Sequence, residues 1–205
     1  DVATDMFTTG MSVSQNTRVS RSENGSTLFF TQGNSSAGPV NIYDSFSGTF
    51  TNTFSTFTSV GDAHTALSPD GTQIAIGDNS YIGLSVLNTA LDTDAILRPI
   101  RGGVAFDPSG NLLLAGDNAE DELVGFDANT FKELFRVDYG RVLGTSFAPM
   151  SASAEHVFAT VPAQGLQVFD LGDFAGYANI EVGIQDSVTG IDFGNQPDQP
   201  TLFVV

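Results

Sequence analysis

The stretch "SPDGTQIAIGDN" at residues 68–79 returns as "DPSGNLLLAGDN" at residues 107–118, 39 residues later. A repeat of this period restricts a chain to arrays of one small unit, because each unit leaves an apolar face that only a neighbouring copy can cover. The unit can be followed along the chain. A short apolar strand recurs as "LFFT" from Leu28, "IAIG" from Ile74, "LLLA" from Leu112, "VFAT" from Val157 and "LFVV" from Leu202, which makes five copies. The first four are each followed by a second apolar strand closed by Asp or Asn. These are "VNIYD" at Asp44, "LSVLN" at Asn88, "LVGFD" at Asp127 and "LQVFD" at Asp170, spaced by 44, 39 and 43 residues.

Ahead of each "LFFT"-type strand lies another that ends in a polar turn: "TRVSRSENG", "HTALSPDG", "GVAFDPSG", "GTSFAPMSASAE" and "TGIDFGNQPDQP". Gly, Pro, Asn and Asp supply the preset or positive φ values that such turns need. A fourth strand follows the closing Asp or Asn, as in "TFTNTFSTF", "DAILRPI", "KELFRVDY" and "YANIEVG". Four strands in a unit of about 41 residues is the pattern of a propeller blade. The expected fold class is therefore all-β: a five-bladed β-propeller of four-stranded blades, forming a single domain over 1–205. Its blade repeats lie near 17–60, 61–100, 101–140, 141–184, and 185–205 plus 1–13. The last copy stops two strands short, and "DVATD" ends at Asp5, 39 residues before Asp44. Residues 1–5 and 6–13 are expected to supply the missing third and outer strands, so that the N- and C-terminal strands close the ring in one blade. The competing expectation is a fragment of a larger propeller.

The units "SPDG…A.GD…L.VL" and "DPSG…LAGD…L..FD" resemble the surface-associated propeller repeats of the YVTN type, with a fainter likeness to NHL and WD-repeat propellers. The resemblance runs over 17–205 and is best over 63–130. It implies a propeller fold and a secreted or surface-displayed protein. A Trp-Asp pair is absent, and the third strand follows no strict consensus.

Charge narrows the partners. Seven basic residues against 24 acidic ones give a net charge of −17, with Lys132 the only lysine. Such a surface repels nucleic-acid phosphates and anionic lipid, so nucleic acid is not expected as a partner. The acids are spread through turns, as on a solvated surface, and adaptation to salty or calcium-rich water is the sharper reading. Cysteine is absent, which removes disulfides, thiolate metal sites and cysteine nucleophiles. No apolar run approaches the ~20 residues of a membrane-spanning helix, and "DVATDMFTTG" lacks the basic and apolar blocks of a signal peptide.

In such a fold the second-to-third-strand loops and the crossovers between blades share one face, where ligands are expected. Here these are residues 32–39, 77–83, 116–122 and 160–165, with crossovers near 61–64, 101–103, 141–144 and 184–187. Among them "GDNAEDE" gathers Asp117, Asn118, Glu120, Asp121 and Glu122, oxygen donors of the kind calcium takes, although without EF-hand spacing. Calcium is thus the candidate cofactor, set against a plain acidic loop. Arg101 and Arg141 fall in successive crossovers and Arg18 on a channel-lining strand, so that guanidinium forks can hold a carboxylate or sulfate. Simple pairing with the abundant Asp is the alternative. His64 and His156 map to opposite ends of a blade, which argues against a shared histidine metal site.

A channel hydrolase needs two facing carboxylates about 5 to 10 Å apart. The first strands offer Asp107, which belongs to a turn, and Asp192. Phe46, Phe50 and Phe54 share strand parity and are expected on one face of an outermost strand, either packing between blades or docking a neighbour by strand addition. Asn24 and Asn34 head glycosylation sequons in expected loops. The leading functional expectation is a non-catalytic extracellular or cell-surface propeller, a structural or interaction module for a protein partner or for self-assembly. The alternatives are a glycan- or anion-binding propeller and a channel-sited glycoside hydrolase.

Overall fold

The computed structural model describes residues 17–22, 25–32, 40–54, 63–78, 83–88, 96–138, 150–161, 165–172, 177–180, 191–194 and 201–204. All secondary structure among them is extended. The first sheet runs β1 (Thr17–Arg21), β2 (Thr27–Gln32), β3 (Val40–Asp44), β4 (Thr49–Phe54). The second runs β5 (Ala63–Leu67), β6 (Gln73–Asp78), β7 (Gly83–Asn88), β8 (Ile96–Arg98). The third runs β9 (Val104–Phe106), β10 (Leu112–Asp117), β11 (Glu122–Asp127), β12 (Glu133–Asp138). The fourth runs β13 (Met150–Ala152), β14 (His156–Val161), β15 (Gly165–Asp170), β16 (Tyr177–Ile180). Strands β17 (Ile191–Gly194) and β18 (Thr201–Val204) pair as a two-stranded fifth sheet. The four complete sheets are antiparallel meanders, and we call them blades A to D. Residues 1–13, expected to complete the fifth sheet, lie outside the described residues.

Blades follow one another through their first strands, with β1 against β5, β5 against β9, β9 against β13 and β13 against β17. Ser20 on β1 and Thr65 on β5 share a 2.6 Å hydroxyl–hydroxyl hydrogen bond across the first of these steps. Blade C is covered on both sides. One face, with Leu113, Ala115, Val124 and Phe126, packs with Ala75, Leu84 and Val86 of blade B. The other, with Leu114 and Leu123, packs with Val157, Ala159 and Phe169 of blade D. This is why the middle strands are apolar runs instead of alternating ones: nearly every residue of β7, β10 and β11 is buried, whereas β12 at the rim is largely exposed.

The meander puts the first-to-second and third-to-fourth turns at one end of each blade, here called the turn face. The repeated "SPDG" and "DPSG" build equivalent turns there. Gly71 N–H donates to the Ser68 carbonyl at 2.8 Å and Gly110 N–H to the Asp107 carbonyl at 2.9 Å, with both glycines at φ +72°. The leading side chain then receives the N–H five residues on: Thr27 on Ser22 Oγ at 3.0 Å, Gln73 on Ser68 Oγ at 2.9 Å, Leu112 on Asp107 Oδ1 at 2.7 Å. Ser and Asp are interchangeable here because each offers a short side-chain acceptor.

The closing Asp of the third strand caps the other turn. Asp44 Oδ1 accepts the Phe46 N–H at 2.8 Å, Asp127 Oδ1 the Asn129 N–H at 3.1 Å, and Asp170 Oδ1 the Gly172 N–H at 2.6 Å.

Phe46 and Phe50 do not share the face expected of them. Phe46 stands in the β3–β4 turn, and a bulge in β4 shifts the register, with Ile42 opposite Asn52 but Tyr43 opposite Phe50. The extra residue, Thr51, inverts the parity of the β4 backbone beyond Phe50, and the Phe54 side chain lies outside what is described. The Phe50 ring packs instead on Phe30 and Tyr43, with centroids 5.6 and 5.1 Å away.

Candidate functional site

The loop end of blade C carries most of the described candidate residues. Strands β10 and β11 end their pairing at Asp117 opposite Glu122. Between them Asp121 adopts φ +58°, a left-handed conformation that Asp tolerates better than most residues. Asp117 is buried. Its Oδ1 accepts the Ala119 N–H at 3.2 Å, which holds the turn, while Oδ2 faces Arg136 Nη1 at 3.2 Å. The same Nη1 also binds Glu122, and Nε and Nη2 donate to the two oxygens of Glu133, each at 3.1 Å. Two members of the predicted calcium set, Asp117 and Glu122, thus meet on a guanidinium. Glu120 is exposed on the turn. The Asn118 N–H donates to the Arg101 carbonyl at 2.8 Å, and the polar atoms of its side chain are buried without a hydrogen bond to any described residue. Among the described residues no group of three or more His, Asp or Glu side chains is placed to hold a metal ion.

Arg136 was missed by the sequence reading for a structural reason. Residues three apart on a regular strand point to opposite faces, so "ELFR" hides the pairing of Glu133 with Arg136. A bulge at Leu134 sets Glu133 opposite Phe126 and Arg136 opposite Val124, on one face of the sheet. Phe135 meanwhile lays its ring over Gly125, where a side chain would collide with it. The signal in the sequence was the glycine of "LVGFD". The electrostatics follow from the contacts. Hydrogen bonding from Arg136 holds Glu133 below its ordinary value, and the carboxylates, Glu133 foremost, raise Arg136 above its own.

Next to this cluster the crossover from blade B to blade C passes against both sheets. Gly116 N–H donates to the Gly103 carbonyl at 2.9 Å. The Gly102 carbonyl lies against Gly77, and the Gly116 carbonyl against Gly102, so closely that a Cβ on either Gly77 or Gly102 would overlap backbone. The glycine of the repeated "GDN" therefore ends a strand where another backbone crosses it; it is a packing residue as much as a turn residue. Arg101 leads into this crossover and is exposed. Arg18 lies on β1 in register with Thr31. Arg141, Asn24 and Asn34 lie outside the described residues.

The remaining candidates separate. His64 is buried on β5 in register with Gly77, whereas His156 begins β14 in register with Asp170 at the other end of its blade. Asp107 is engaged in its turn by the N–H groups of Leu112 and Ser109 and the Ser109 hydroxyl. Asp192 sits on β17 in register with Phe203. Two further turn acids are held below the ordinary carboxylate range by their hydrogen bonds: Asp70 chiefly by the Ser68 hydroxyl, and Asp127 chiefly by the Thr130 N–H.

No protein-family model matches the chain, and no curated protein does. Solved structures do. Hydrazine synthase of Kuenenia stuttgartiensis superposes with a TM-score of 0.64 at 16% identity, over 94% of this chain and 57% of that one. The Cps50 (Swd1) beta-propeller domain of Myceliophteria thermophila superposes with a TM-score of 0.67 at 14% identity, over 97% of this chain and 64% of that one. The chain thus spans less than two thirds of the length of either. At these identities the likeness speaks to architecture alone, and it shows an all-β fold of the propeller type.

Proposed function

We propose that this chain is a non-catalytic β-propeller of the extracellular space or cell surface that works as an interaction module. In this reading five blades, the last completed by residues 1–13, present their loops to a protein partner or to further copies of the chain. The observation that carries it is the use made of the described carboxylates. Asp44, Asp70, Asp107, Asp127 and Asp170 accept hydrogen bonds inside their own turns, while Asp117, Glu122 and Glu133 converge on Arg136. Groups held in this way stiffen the blade ends, and a stiff scaffold loses less conformational freedom when its loops bind. Native mass spectrometry of the full protein, together with a broad hydrolase substrate screen, tests the reading. A discrete complex and no turnover are expected. Turnover abolished by Asp192→Asn would replace the proposal with a channel-sited glycoside hydrolase.

Arg101 favours a second reading, because its side chain is exposed while its carbonyl is tied to Asn118. With Arg18 and Arg141 it would recognise a carboxylate- or sulfate-bearing glycan. A glycan array probed with wild type and the Arg101→Ala, Arg141→Ala double variant decides it: signals lost in the variant support the site, and signals retained remove it. Glycosylation at Asn24 and Asn34 belongs to the extracellular reading, and the intact mass of native protein reads it directly.

A further inference from the structure

We infer that Phe46 is the anchor of a docking knob on the turn face of blade A, made for a basic protein partner with an apolar socket the size of one phenyl ring. The inference rests on the interaction-module reading and adds to it a face, an anchor residue and a partner chemistry.

Phe46 is 96% exposed. Its turn has the same build as those of blades C and D: the second residue after the closing Asp donates its N–H to that Asp in all three, through Phe46, Asn129 and Gly172. The backbone at this position accepts an amide or no side chain at all. Turn geometry therefore does not call for a phenyl group, and leaving one in water forgoes the roughly 1.5–3 kcal/mol that its burial provides. Elsewhere apolar residues of these turns fold inward, since Ala128 and Phe131 join the core beside blade C, and Leu171 joins that beside blade D.

The turn that carries Phe46 is held firmly. Asp44 Oδ1 also accepts the Ser47 N–H at 3.2 Å, and Gly48, at φ +69°, donates its N–H to the Asp44 carbonyl at 2.9 Å. Ser45 ties it to the neighbouring β1–β2 turn, donating its hydroxyl to the carbonyls of Gly25 at 2.7 Å and Ser26 at 3.0 Å. A ring on a preorganised base loses little freedom on insertion, which is the character of aromatic hot spots. Edge pairing along the adjacent β4 is blunted by its bulge, so the contact runs through the turn. Charge selects the partner: a second copy would bring another −17, whereas a basic surface is steered toward this one.

The test places benzoylphenylalanine at position 46, at Asn129 in the equivalent turn of blade C, and at Arg101 on the opposite face, in the full chain within its native cells. Irradiation is expected to give one discrete adduct from position 46 and none from position 129. The adducted protein, identified and purified, is expected to be basic and to bind wild type more weakly as salt rises. Phe46→Ser should weaken that binding by at least about tenfold, and Phe46→Leu by less. The exposed ring predicts an unchanged melting temperature for both variants, so a loss of binding is not a loss of fold. Equal adduct yields at 46 and 129, an adduct that is a second copy of this chain, or full affinity in Phe46→Ser would each overturn the inference. An adduct from position 101 alone would overturn it and leave the interaction module standing, whereas silence at all three positions would count against both.

Discussion

The carbonyl oxygen of Gly102, in the crossover from blade B to blade C, lies against the Cα of Gly77 in β6, with no room for a methyl group between them. Gly102 in turn lies against the Gly116 carbonyl, so three glycines stack where two blades and their connection meet. Gly77→Ala and Gly102→Ala must move backbone and are expected to cost at or above the upper end of the ~1–3 kcal/mol typical of overpacking. Gly125→Ala meets the Phe135 ring instead, a side chain at the rim that can swing away, and should cost less. Urea midpoints of the three variants check the order; equal losses would mean that the crossover yields as easily as a ring.

The turn acids give a prediction from within the repeat. Asp107 serves blade C as Ser68 serves blade B, by receiving the N–H five residues on. Asp107→Ser should therefore keep most of the stability, while Asp107→Ala strands the Leu112 N–H and should cost about 1 kcal/mol. Denaturant unfolding of the two variants separates them. A serine variant no better than alanine would show that the charge, not the acceptor, is what matters there.

Arg136 is expected to make the stability of blade C fall in acid. Glu133 is held below its ordinary value of 4.5 by its hydrogen bonds from Arg136. A carboxylate depressed in the folded state leaves the unfolded chain binding more protons in that range, so its stabilisation is present above the ordinary value and fades as pH falls through the depressed one. Acid also relieves the repulsion within a chain of net charge −17, which works in the opposite direction. The difference between wild type and Arg136→Gln isolates the cluster. That difference is expected to be constant near neutrality and to shrink below about pH 4.5, the ordinary glutamate value. Its size at pH 7 should fall between an exposed and a buried ion pair, about 1–3 kcal/mol, because Arg136 is one-third exposed and Asp117 nearly enclosed. A pH-independent difference would assign Arg136 a packing role only.

The same cluster decides how calcium should act. Calcium at Asp117, Asn118, Glu120, Asp121 and Glu122 has to displace the guanidinium from Asp117 and Glu122. Millimolar calcium should therefore leave wild-type unfolding unchanged and stabilise Arg136→Gln, in which the carboxylates lose their counter-ion. Calcium stabilising wild type and variant alike would show binding that does not compete with Arg136.

How far the sequence carried depended on whether a feature leaves a residue signature. The strand order, the Asp that closes the third strand in blades A, C and D, and the "SPDG"-type turns all recur, and the described structure contains them where the repeat puts them. What leaves no residue signature stayed hidden. The bulges in β4 and β12 add one residue at the same step of blades A and C and invert parity, which took Phe50 off its expected register and concealed Glu133 beside Arg136. The meeting of Arg136 with Asp117 spans 19 positions and depends on two strand registers at once. Arg101 and the "GDNAEDE" acids were legible as loop residues, but their partners were set by packing between blades.

Gln167 gives a last prediction, on a buried group that no motif marks. It lies on β15 between Leu166 and Val168, in register with Ala159, and is 1% exposed. Neither Nε2 nor Oε1 has a hydrogen-bonding partner among the described residues. Its partner on β14, Ala159, is as buried as it is, and its partner on β16 is Asn179, so the amide is held away from water between two strands. Desolvating such a group without a hydrogen bond costs about 1–3 kcal/mol, and methionine has nearly the same length and shape without that cost. Gln167→Met is therefore expected to raise the unfolding midpoint by an amount corresponding to about 1 kcal/mol, whereas Gln167→Ala should lower it by opening a cavity. The pair of variants separates polarity from volume. Destabilisation by both would mean that the amide is satisfied in solution, by an internal water or a rearranged side chain, and that it fixes how blade D is packed instead of straining it.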